Sequence, residues 1–164
     1  MASKQEIIGG VEFLIGESHR IATVLRDDEW AQAKDSDGWQ NSQVLAHIAS
    51  VGAIVVPFLQ QMGNAAPDAN AGAGLDINAL NAGLVAARAG KTVAELADET
   101  EANYRGVIEF VKTTDDAFWQ QPRTIMGYVE VPMGDIFMRM VVLHGVSHIY
   151  EAYSAVMGPI PSPA

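Results

Sequence analysis

Three histidines carry the chemistry that can be read from this sequence. His144 and His148 stand four apart in HGVSH, and His47 lies in SQVLAHIASV. Residues four apart on a helix share a face about one turn apart, so two imidazoles at that spacing reach one metal ion. A third imidazole from a facing helix would complete a three-nitrogen set and leave one coordination position open, as catalytic sites do. Each histidine continues the apolar stripe of its own segment, where an uncompensated polar ring costs free energy. A buried hydrogen-bond network is the competing reading of the same three rings. His19 has no such company and reads as a hydrogen-bonded core residue or a surface one.

Glu151 follows His148 by three residues and His144 by seven, which puts it on their face. It can orient a ligand imidazole, act as a proton acceptor and catalytic group, or bind the metal itself. The bland reading is a solvated carboxylate near a helix end. HGVSH is not the HExxH of zinc peptidases, because Gly145 stands where that motif places its general base. A glycine inside a helix costs about 1 kcal/mol relative to alanine, and close approach of a neighbouring helix would compensate. Ser147 faces away from both histidines. Gly63, Gly72 and Gly74 lack the strand-to-helix setting of a phosphate-binding loop.

The elements that must position these residues follow from apolar periodicity. Ile7, Ile8, Val11, Leu14, Ile15, Ile21 and Leu25 recur at threes and fours and predict a helix from about Lys4 to Asp28. After a polar stretch bearing Trp30 and Trp39, Asn41 or Ser42 can cap a second helix through His47 to Met62, with Pro57 set to kink or shorten it. The stretch GNAAPDANAGAGL has no apolar period and reads as a loop, followed by a weaker helical piece over about 76–89. Thr92 and Glu95 have the spacing of a capping box and open a third helix to about Lys112. TIMGYVEV is a candidate hairpin, and a last helix from Met133 to Met157 carries Phe137, Met140, Val141, His144 and His148 on one stripe until Gly158 stops it. The expected architecture is all-α: a four-helix bundle with a long crossover between helices 2 and 3.

The 164 residues fit one domain, taken as residues 1–158 followed by a proline-rich tail at 159–164. Ten basic against twenty acidic residues give a formal charge of −10, which repels phosphate backbones and disfavours nucleic acid as a partner. The longest uninterrupted apolar run falls short of the roughly 20 residues of a membrane span, so no membrane is expected. MASKQEIIGG lacks the layout of a secretory signal, and a cytoplasmic location is expected. Cysteine is absent, so no disulfide and no thiolate comes from the chain.

The segment DDEWAQAKDSDGWQNSQVLAHIA, with its Trp, its later Gly-Trp and its Leu-Ala-His-Ile, resembles the N-terminal half of the DinB/YfiT-like superfamily. Within that group the likeness is to mycothiol-dependent maleylpyruvate isomerase-type domains. HGVSH resembles the superfamily's His-x-x-x-His helix. The resemblance implies a four-helix bundle holding a divalent metal, often zinc or nickel, on His47, His144 and His148. It also implies S-transfer or isomerisation with a low-molecular-weight thiol, or metal-dependent hydrolysis. Many relatives carry Gln three residues after the second His; this chain has Glu151, which adds negative charge beside the site. The leading expectation is a metal-dependent enzyme that transfers a small thiol to a small-molecule electrophile near Trp39 and the 115–132 connector. The alternatives are a hydrolase of a small ester or amide, and a non-enzymatic metal-stabilised binding protein. A homodimer is expected in each case, since an exposed helix face readily forms a two-fold contact.

Overall fold

Ser3 and Glu6 open the first helix by a reciprocal exchange. The Glu6 amide donates to Ser3 Oγ at 3.3 Å, and the Ser3 amide donates to Glu6 Oε2 at 2.8 Å. In the computed structural model this helix, α1, spans Lys4–Val24. The structure describes residues 1–32, 38–66, 69–125 and 128–158, so the tail expected at 159–164 lies outside the described residues. A short α2 (Asp27–Trp30) leads to α3 (Asn41–Asn64). Then come β1 (Asn70–Ala71), α4 (Ile77–Ala86), α5 (Val93–Thr113) and α6 (Asp116–Gln120). Strands β2 (Pro122–Ile125) and β3 (Tyr128–Pro132) precede α7 (Met133–Phe137), a π-helical turn (Met138–Leu143) and α8 (His144–Met157), the last three forming one continuous rod.

Four long helices form a ring: α1 and α3 each pack against both α5 and the C-terminal rod. Their directions follow from contacts at one end. Lys4 Nζ donates to the carbonyls of Lys112 and Thr114, and the Ala2 amide to Asp135 Oδ1, so α1 starts where α5 ends and α7 begins. Arg123 Nη2 reaches the Gly63 carbonyl and the Met133 amide reaches that of Gln121, which brings the end of α3 to the same place. Hence α1 and the C-terminal rod run one way, and α3 and α5 the other. Two parallel neighbours in sequence need a connection that travels the length of the bundle, so the expected crossover between the second and third long helices is present.

Thr92 and Glu95 form the expected capping box, the Glu95 amide donating to Thr92 Oγ1 at 3.2 Å and the Thr92 amide to Glu95 Oε2 at 2.7 Å. The crossover differs from the plain loop expected over 63–75. β1 pairs in parallel with β2, Asn70 opposite Thr124, and β2 pairs antiparallel with β3 around a bulge between Arg123 and Ile125. A two-residue strand is too short to print a period in the sequence. The cap of α3 also differs. Gln40 is its N-cap, with its amide held by Gln43 Oε1 at 2.8 Å, whereas Asn41 is buried and its side-chain amide donates to the Glu29 carbonyl at 3.0 Å, tying α2 to α3. Pro57 sits exposed inside α3, which continues past it to Asn64. By length and composition α3 would cross a membrane, but 56% of its apolar window is buried among the other helices, as befits a core helix.

Candidate metal centre

His47 is the seventh residue of α3 and is 3% exposed, which fixes it near the end of the bundle opposite the sheet. His144 and His148 come from the first turns of α8, immediately after the π-helical turn. A π turn bonds i to i+5 and so fits an extra residue into the helix, a device that often accompanies functional sites. Beyond it the buried stripe runs through Gly145, Ile149 and Ala152. His144 is therefore exposed and His148 half-buried, at the flank of the stripe and not along its centre as the spacing alone predicts. Gly145 lets α8 come close to α1: a Cβ there would lie 2.9 Å from Leu14 Cδ2. This close approach is the compensation expected for a glycine in mid-helix.

The three rings meet through their Nε2 atoms. His47 Nε2 and His148 Nε2 lie 3.2 and 3.1 Å from His144 Nε2, and one ring nitrogen from each histidine falls within 4.8 Å of the others. Two nitrogens each about 2.0–2.1 Å from one ion, at a tetrahedral angle, stand roughly 3.3–3.4 Å apart. The separations are thus those of a ligand set already gathered. Imidazole suits zinc and nickel, and three neutral donors leave room for a further ligand. On its other side His148 Nδ1 lies 3.3 Å from Glu151 Oε2. A proton held on Nδ1 by that carboxylate leaves the Nε2 lone pair directed at the cluster, the usual arrangement around a metal-ligating histidine. Glu151 is half exposed, at 51%. The residues present fit a divalent cation.

Two spaces meet at the histidines. A polar mouth is lined by Trp39, Asn78, Asn81 and all three imidazoles, and an apolar cavity runs behind His47 and His144 along α3. Trp39 packs edge-on to His47, with ring centroids 5.4 Å apart. Trp39 therefore stands at the site as expected. The 115–132 connector contributes little: among the described residues, Ile125 reaches the apolar cavity, and the wall facing the histidines is α4. Asn78 and Asn81 are the residues that sequence reasoning missed. Their signal was two amides three apart on a helix otherwise made of Ile, Ala, Leu, Gly and Val. His19 lies away from the cluster, its Nε2 2.8 Å from Glu101 Oε2.

Comparison with known families agrees with this geometry. The model of the DinB superfamily matches residues 13–152, and the chain belongs to that superfamily. No curated protein sequence matches it.

Proposed function

For this member of the DinB superfamily we propose a metal-dependent enzyme that transfers a low-molecular-weight thiol to a small electrophile. His47, His144 and His148 are the ligands of one divalent ion, zinc or nickel. The observation that carries this reading is the convergence of three imidazoles beside an open mouth, with the Nε2 atoms of His47 and His148 at 3.2 and 3.1 Å from that of His144 and a ligand atom of each within 4.8 Å of the others. A divalent ion supplies Lewis acidity there, which lowers the pKa of a thiol or a water that joins the three imidazoles. The chain contributes the rest. Glu151, beside His148 Nδ1, fixes the tautomer of His148 and offers a carboxylate able to take up a proton through that imidazole. Trp39 walls one side of the substrate and the Asn78 and Asn81 amides offer both donors and acceptors on the other. With no cysteine in the chain, the reacting sulfur comes from the co-substrate.

Hydrolysis of a small ester or amide is a second use of the same site, favoured by the exposure of His144 to water. A third reading makes the metal purely structural in a dimeric binding protein. It draws on exposed apolar residues of two helices that pack together, Phe13 and Val24 of α1 and Tyr150 and Met157 of α8. One set of assays separates the three. Zinc- or nickel-loaded protein is incubated with small thiols and a chlorinated aromatic electrophile, and in parallel with a plain ester. Thiol-dependent conjugation that disappears in His144→Ala supports the transferase. Ester turnover without any thiol effect makes it a hydrolase. Blank wild-type assays with a lower melting temperature in His144→Ala leave the structural role.

A further inference from the structure

The apolar cavity behind the histidines says what kind of molecule the site takes. It measures about 170 Å³, and its walls are Val51, Ile54 and Phe58 of α3, Leu80 of α4, and Met140 and Val141 of the π turn. Its polar lining side chains are His47, His144 and Asn81, and all three also line the mouth. Water inside would find partners at one end alone. A cavity of about 150 Å³ lined by Leu, Ile and Phe stays dry and accepts benzene. The space here is similar in size and lining, but it is not sealed: His47 and His144 line it where it meets the mouth, and the exposed side chains of Leu75 and Ile77 edge it as well.

Helix α4 does not fill this space from above. It packs against α3, and its C-terminal side is pinned to α5 by Arg88 Nη2 and Lys91 Nζ, each 2.7 Å from a Glu99 carboxylate oxygen. Leu80 thereby stands as a wall of the cavity, half-buried.

Resting on the metal reading above, we infer that the substrate is amphiphilic: a polar reacting group lies at the three imidazoles, and a hydrocarbon part of about benzene bulk fills the apolar cavity. The amides of Asn78 and Asn81 engage the polar part at the mouth. The hydrocarbon part sets specificity, because a polar substituent of the same size would lose its hydration without gaining partners.

Two titrations test this separately from the metal. Toluene is titrated calorimetrically into metal-free protein. Saturable binding in wild type, lost in Ile54→Trp, is expected; a wild type that binds no toluene overturns the inference. Should Ile54→Trp fail to fold by circular dichroism, Leu80→Trp, on the peripheral helix, blocks the same space. In the second titration zinc-loaded protein receives n-alkyl carboxylates from acetate to octanoate. Affinity should rise about three- to four-fold per methylene, the equivalent of about 0.8 kcal/mol per buried CH₂, until the cavity is full. The heat-capacity change of binding should grow more negative in step. Acetate and octanoate binding alike would overturn the inference while leaving the metal reading intact. Protein that takes up no zinc yet binds toluene would sink the metal reading and leave the hydrocarbon site standing.

Discussion

The two ends of the bundle use the same contact for different ends. Beside the sheet, Phe110, Phe118, Trp119 and Phe137 meet edge to face with ring centroids 5.2–6.0 Å apart. At the other end Trp39, His47, His144 and His148 also meet edge to face, at 4.3–5.4 Å. The phenylalanine rings need nothing beyond each other, since edge meets face and apolar area leaves water, and the one polar atom among these rings, the Trp119 indole nitrogen, is buried without a hydrogen-bond partner. Imidazoles bring nitrogen atoms whose pairing depends on what else is bound. One end therefore holds the fold together by packing, with no ligand in its chemistry. On the proposed metal reading, the other end gains stability from its ligand.

The largest effect should come from the aromatic end. Trp119 is 1% exposed, and Trp119→Ala should cost roughly 3–5 kcal/mol in urea unfolding. Metal uptake per folded molecule should not change, because Trp119 itself lines neither space at the histidines and reaches them through Phe137, which shares the apolar cavity with His47 and His144. A variant that stays folded but takes up no metal would dissolve the contrast between the ends.

Next is the gain on loading. Zinc at a hundredfold excess over its Kd should stabilise wild type by about 2.7 kcal/mol. Trp119→Ala should gain the same increment and His47→Ala none. An equal gain in His47→Ala would show zinc binding elsewhere.

Glu151→Ala sharpens the picture within the histidine end. Losing the carboxylate beside His148 Nδ1 should weaken metal affinity about 10–100-fold while leaving the metal-free protein's melting temperature unchanged. Unaltered affinity would reduce Glu151 to a solvated surface group.

The smallest effect concerns α4, the wall of the site. Burial raises the pKa of Glu99, but hydrogen bonds from Lys91 and Arg88 outweigh it and hold the carboxyl below the usual glutamate range. A depressed folded-state pKa gives stability that is complete above the ordinary value of about 4.3 and is lost as pH falls through the lower, folded one. Protection of the α4 amides, taken relative to intrinsic exchange at each pH, should therefore fall on acidification before that of α5, and Glu99→Gln should show the lowered protection already at neutral pH. Exchange in α4 that is independent of both would mean the pin is ornamental.

Most of this was legible in the sequence where one local rule decides the outcome. Apolar residues at threes and fours gave four long helices within a few residues of their bounds, and Thr92 with Glu95 marked an N-terminus because both partners of the cap are local. The histidines were legible as a set because four-residue spacing is itself a geometric statement. What stayed hidden depends on partners distant in the chain. Asn41 looks like a cap but is drawn inward by the Glu29 carbonyl. β1 exists because β2 lies beside it. The π turn leaves no periodic mark in six residues, yet it moves His144 to the exposed flank. The place of Asn78 and Asn81 at the mouth appears only once the crossover brings α4 over it.

The central claim is that three imidazoles from two helices hold one divalent ion. Its most direct test is metal content by inductively coupled plasma mass spectrometry on zinc-incubated, desalted wild type and on His47→Ala, His144→Ala and His148→Ala. The account predicts about one equivalent in wild type and a sharp loss in each variant. Folded wild type that retains no zinc or nickel, or a His47→Ala variant that retains a full equivalent, would contradict it.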